Sequence, residues 1–172
     1  PPEGVIAVIS VKKSLYRKEL RREFATLKTV AGLCARKGAK GPFIALVGMD
    51  DKIASSSDKS FDQVIEAIRD SQDEKCISYD ELPGFVGALK SWSVHKAHRR
   101  DIQRADYLFY KHGTEEEHLG IQFLLNSILD VYYSKDRGHG EKPGIFSFPG
   151  NREPDDMSQE IFYKKEKAGR HG

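Results

Sequence analysis

Val5–Lys13 reads "VIAVISVKK". Its first five residues are apolar and mostly β-branched, the composition of a strand covered on both faces, and the pattern predicts a strand over Val5–Ile9. Lys12 and Lys13 follow almost at once, so this reading ends a buried strand in ammonium groups. Ser14 then offers a hydroxyl as N-cap, and Tyr16, Leu20, Phe24, Leu27 and Val30 recur at spacings of three and four, the signature of an amphipathic helix. The glycines and proline of "RKGAKGP" stop that helix near Gly38. Phe43–Val47 is a second buried strand. Strand, helix and strand make a βαβ unit with parallel strands, so both strand C-termini face one edge, Lys12 and Lys13 at one and Asp50 and Asp51 at the other.

Beyond this unit, Ser60 and Gln63 form a capping-box pattern ahead of a helix through Val64, Ile65 and Ile68. Ser78 and Glu81 repeat that pattern, but Pro83, Gly84 and Gly87 interrupt it, and a turn at Pro83 followed by a strand over "FVGALKSW" is the expected outcome. Asp106–Tyr110, "DYLFY", reads as a strand. Thr114 with Glu117 caps a helix over Glu115–Tyr133, through Leu119, Phe123, Leu124 and Ile128. "KDRGHGEKPG" is a linker, "IFSFPG" an edge segment, and residues 151–172 a polar tail behind a domain spanning 1–150. The fold class is α/β, a central mixed sheet with flanking helices.

Composition bounds the class of partner. The 172 residues are 38% hydrophobic and 31% charged, with a formal net charge of +2. That balance decides nothing by itself, but the distribution is uneven. Lys12, Lys13, Arg17, Lys18, Arg21 and Arg22 crowd one segment with Glu19 as the single acid among them, and Lys96, Arg99, Arg100 and Arg104 crowd another. Cys34 and Cys76 suit reduced thiols in a reducing, cytoplasmic setting rather than a disulfide framework. No run of apolar residues is long enough for a membrane helix, so no membrane partner is expected. The chain opens at Pro1 without a signal-peptide pattern and reads as a piece of a longer protein, with a possible partner domain ahead of Pro1.

A lysine at the end of a buried strand has two uses. Its stem can lie along apolar surface while the ammonium reaches water, or the ammonium can face a phosphate in the crevice where open α/β sheets bind ligands. "AVISVKKSL", with the helix and "GPFIALVG" that follow, resembles the core of the PD-(D/E)XK nuclease superfamily, the restriction-endonuclease-like fold, and more narrowly bacterial nuclease-like domains of unknown function within it. The resemblance implies that Lys12 takes the place of the motif lysine, which orients the attacking water and offsets phosphate charge. It puts Ser10 in the acidic place, where a hydroxyl brings no charge to a cation that prefers carboxylate oxygens. The upstream aspartate has no counterpart. Asp50 and Asp51 are the substitute donors for Mg²⁺, neighbouring strands being about 4.8 Å apart. Glu19 and Glu23, spaced i, i+4 on the first helix, read as solvated salt-bridge partners.

Three functions follow as expectations: a Mg²⁺-dependent nuclease on DNA or RNA, a nucleic-acid-binding module that has lost its acidic groups, and a protein-interaction module. Lys13, Arg17, Lys18, Arg21, Lys96, Arg99 and Arg100 are the candidate phosphate contacts. His95 and His98 look like H-x-x-H but have no third ligand, and read as cationic surface. Trp92 and Tyr107 could stack on bases, with core packing the plainer use. No dinucleotide, P-loop or nucleophile-elbow motif occurs.

Overall fold

The computed structural model describes residues 5–34, 41–71, 79–99, 104–113, 116, 118–136 and 157–162. Their order is β1 (Ala7–Tyr16), α1 (Arg17–Cys34), β2 (Phe43–Lys52), α2 (Ser57–Asp70), a single 3-10 turn (Tyr79–Glu81), β3 (Phe85–Ala88), β4 (Trp92–Arg99), β5 (Arg104–Lys111), α3 (Leu119–Asp136) and β6 (Ser158–Phe162). The six strands form one sheet in chain order, β1-β2-β3-β4-β5-β6. The first three run parallel and the rest pair antiparallel, so the protein is α/β with a mixed sheet and flanking helices.

Two successive parallel crossovers in one direction put α1 and α2 on the same side of the sheet. There Leu20, Phe24 and Leu27 of α1 and Phe61, Val64 and Ile68 of α2 pack on Ile44, Leu46, Val86, Val94 and Phe109. The other side is covered by α3, whose Leu119 and Phe123 close over Ala45, Val47, Phe85 and Tyr110. Each strand's alternation divides its residues between these two cores.

The first strand differs from its expected form in a way that matters for the site. It does not end at Ile9; it runs through both lysines to Tyr16, pairing with β2 from Ala7↔Phe43 to Tyr16↔Lys52. Ser14 therefore sits in the strand opposite Asp50 and caps no helix. A lysine continues an edge strand readily because its stem lies on the sheet while its head reaches the rim. The pairing steps from Lys12↔Gly48 directly to Ser14↔Asp50. Beyond this step Leu15 turns into the core beneath α1 and α2. A Cβ on Gly48 would stand 2.5 Å from Leu15 Cγ, so only glycine leaves room for that turn.

Other expectations move by a turn or less. The cap of α2 is Ser56, in extended backbone, whose Oγ accepts from the Lys59 N–H at 3.4 Å. Ser60, the expected cap, is buried one turn in. "FVGALKSW" is a hairpin rather than one strand: Ser91 N–H donates to Ala88 carbonyl at 2.9 Å, and Trp92 opens β4. The helix expected over Glu115–Tyr133 starts at Leu119. Ser158–Phe162, expected in a polar tail, pairs with β5 as the last strand. Thr114, Glu117, Gly38, Cys76, Ser78 and the segment "IFSFPG" lie outside the described residues.

Candidate charged site at the seam of β1 and α1

The inward stripe of α1 is Leu20, Glu23, Phe24, Leu27 and Ala31. Four of these positions are apolar and the fifth is a glutamate, so helical spacing alone drives Glu23 against the sheet. It is only 8% exposed. Below it, Ser10 and Lys12 lie two residues apart on β1 and share a face. Ser10 Oγ donates to Glu23 Oε2 at 3.0 Å, and Lys12 Nζ meets Glu23 Oε1 at 2.9 Å. Arg22, largely exposed, reaches the same Oε1 at 3.5 Å. A carboxylate thus stands beside Ser10 and Lys12 in space, supplied by the next element of the chain. Glu23 is not the solvated partner that its spacing suggests: it is buried and holds Lys12.

Burial acts to raise the Glu23 carboxyl. The hydrogen bonds from Lys12 and Ser10, the Lys12 charge and the bond from Arg22 outweigh it, and the pKa falls below its ordinary 4.5. Glu23 is therefore an anion at neutral pH, and with Lys12 and Arg22 the cluster carries net charge +1.

A divalent cation does not fit this donor set. Mg²⁺ takes an octahedron of hard oxygens, usually with more than one anionic donor or a phosphate to share the load. Here one carboxylate is already bonded through both oxygens, beside two cations. No group of three or more side chains able to hold a metal occurs among the described residues. Asp51, expected as a ligand, serves the fold: Oδ1 accepts from Ile53 N–H at 2.9 Å, and Oδ2 accepts from Ser60 Oγ and Trp92 Nε1, both at 2.7 Å. It anchors the loop into α2 and the start of β4. Asp50 is half-buried opposite Ser14 and joins no such group.

The candidate phosphate contacts separate into two sets. Lys13, Arg17, Lys18 and Arg21 are exposed at the end of β1 and along the first turns of α1. Arg17 meets Glu66 at 3.6 Å between two well-exposed side chains, a pair that restrains it little. Lys96 is different. Its Nζ donates to the carbonyls of Tyr79 and Leu82 at 2.6 and 2.7 Å and stands 3.9 Å from the centre of the Tyr79 ring. It holds the 3-10 turn, and its expected role as a surface contact is corrected. Arg100 and the side chains of Arg99 and His98 lie outside the described part.

His95 is also corrected, from cationic surface to core. It is 4% exposed, with its ring edge-on to Phe85, Tyr110 and Phe123 at 4.6–5.3 Å. Burial, helped by the nearby His112, pushes its pKa down to about 3, so the ring is neutral. Its Nε2 lies 3.2 Å from Ser93 Oγ, which lies 3.1 Å from His112 Nε2, while His112 Nδ1 is 3.0 Å from the Leu89 carbonyl. A carbonyl only accepts, so His112 Nδ1 carries a proton, and Ser93 Oγ bridges the Nε2 atoms of the two rings. Trp92 and Tyr107 are fully buried, as core packing requires, and Tyr107 donates its hydroxyl to the Pro83 carbonyl at 3.0 Å.

No protein-family model matches the chain, and no curated protein matches it either. Among the described residues no helix is long and apolar enough to cross a membrane.

Glu23 was within reach of sequence reasoning. It stands three residues after Leu20 and four before Leu27, inside the apolar stripe. A charge at such a position is a request for a partner, and the preceding strand offers two cations, Lys12 and Lys13, of which Lys12 meets it.

Proposed function

We propose that this is a nucleic-acid-binding domain of the nuclease-like α/β type that β1 and α1 resemble, and that it binds phosphates by charge at the corner where those two elements meet. The observation that carries the reading is the Ser10–Lys12–Glu23 cluster, net charge +1 once Arg22 is counted, beside the exposed Lys13, Arg17, Lys18 and Arg21. Cations crowded at one corner of a near-neutral chain create a local field that the net charge of +2 hides. Phosphate contacts made by such side chains release counterions and weaken as salt rises. Metal-dependent hydrolysis finds no support in the donor set, because its one carboxylate is engaged by Lys12 and Ser10.

The test is binding of a labelled DNA duplex followed from 50 to 200 mM salt. About four phosphate contacts give a slope near −4 in a plot of log affinity against log salt. A slope near zero, or no binding at 50 mM, would refute the reading. Nicking of plasmid that needs Mg²⁺ and vanishes in Lys12→Met would replace it with the enzymatic one.

A further inference from the structure

The basic segment from Lys12 to Arg22 holds one aromatic residue among its cations, Tyr16. It is the last residue of β1, and its neighbour Leu15 turns into the core beneath α1 and α2. Strand alternation therefore aims the Tyr16 ring away from that core, and the residue is 44% exposed. Trp92, Tyr107 and Phe109, by contrast, are sealed inside.

Cations stand around this ring. Lys13 precedes it by three residues, Arg17 and Lys18 follow it directly, and Lys52 is its register partner on β2; all four are exposed. Adjacent parallel strands are about 4.8 Å apart, so Lys52 springs from the backbone next to the ring. Cations alone hold a phosphate chain without regard to its bases. A flat ring set among them adds a face on which a base can stack, and a base presents its own face only where it is unpaired.

The acids of α2 bound the same corner. Asp62, Glu66 and Asp70, spaced by four, are exposed along that helix, and Glu66 reaches Arg17 at 3.6 Å. A duplex brings a second charged strand that must find room beside these carboxylates. A single strand needs only a narrow lane.

We propose that Tyr16 is a base-stacking platform and that the preferred ligand of this corner is single-stranded nucleic acid, an inference that rests on the phosphate-binding reading given above. The phosphates lie on Lys13, Arg17 and Lys18, and one unpaired base lies on the Tyr16 ring.

The test compares a labelled DNA strand of about 12 nucleotides with the duplex of the same sequence, each titrated with the full chain from 50 to 200 mM salt. The parent should bind the single strand more tightly than the duplex. Tyr16→Ala should lose about fivefold or more on the single strand, the lower end of what one stacked base is worth, with its salt slope and its duplex affinity unchanged. Tyr16→Phe, which keeps the ring, should bind as the parent does. Should alanine lower the melting temperature, Tyr16→Ile, which keeps a strand-forming side chain without a ring, is read in the same way. Single-strand binding that ignores the loss of the ring overturns the proposal, as does a loss shared equally by strand and duplex. If the parent binds both probes with the expected salt slope in those cases, the phosphate reading stands and the stacking one alone falls. A parent that binds neither probe overturns both.

Discussion

The cluster around Glu23 and the cluster around His95 lie on opposite faces of one sheet, and although burial opposes charge in both, their neighbours leave one ionised and the other neutral. Glu23 has a cation and a hydroxyl within 3.0 Å, so it stays ionised against the cost of desolvation. His95 has aromatic rings, a hydroxyl and a second imidazole around it, so it stays neutral. The ionised cluster stands at the open edge of the sheet, where Lys12 keeps a third of its side chain in contact with solvent. The neutral one is sealed beneath α3. Polar groups inside this fold are thus sorted by what stands beside them, and only the edge cluster can meet a ligand.

The largest effect should come from unsealing the neutral cluster. Phe123 is fully buried against His95 and Tyr110. Phe123→Ala should cost about 3–5 kcal/mol in urea unfolding. It should also let the His95 resonance titrate well above 3, toward the ordinary 6.5. An unchanged His95 titration would mean that burial under α3 is not what holds the ring neutral.

A smaller loss is expected from the charged cluster. Lys12→Met keeps the stem and removes the ammonium, leaving Glu23 half-compensated by Ser10 and Arg22, and should cost about 1–3 kcal/mol. Glu23 should then titrate higher than in the parent, since burial would meet less opposition. A Lys12→Met protein as stable as the parent would show the pair to be of no structural weight.

Acid separates the two clusters more finely. The folded-state pKa of Glu23 is lowered, so its contribution is complete above about 4.5 and is lost as pH falls through the folded value. The pKa of His95 is lowered too, and its neutral form is the one that fits. Stability should therefore decline from about pH 6.5 downward until the ring titrates near 3. Chemical denaturation at a series of pH values should show the parent weakening first through His95. The difference between parent and Glu23→Gln should hold steady down to about pH 4.5 and shrink below it. A difference that grows with acid would reverse the assigned sign.

The fold was legible in the sequence wherever a period ran long enough. The stripe of α1 and the apolar runs of β1 and β2 gave the βαβ unit, and a mixed α/β sheet followed. What stayed hidden depended on partners distant in the chain. Lys12 and Lys13 resemble a strand end until β2 is seen to continue beside them to Lys52. Ser158–Phe162 has nothing local to mark it as a strand, because its order comes from β5. Ser60 looks like a cap because nothing in its neighbourhood shows that its hydroxyl is bound to Asp51. At the site, Lys12 and Ser10 could be read from their strand. Glu23 reads as surface because surface charge is the ordinary fate of a helical glutamate, and Asp51 reads as a ligand because Trp92, which claims it, lies 41 positions away.

The corner of β1 and α1 is proposed to bind phosphate by charge, without a metal. The direct measurement is duplex binding in excess chelator at low salt, comparing the parent with a Lys13→Glu, Lys18→Glu, Arg21→Glu protein, whose stability should lie within about 1 kcal/mol of the parent. The parent should bind equally well with chelator or Mg²⁺, and the triple variant should lose at least about tenfold in affinity and about three units of salt slope. Binding abolished by the chelator, or unchanged by the three reversals, would contradict it.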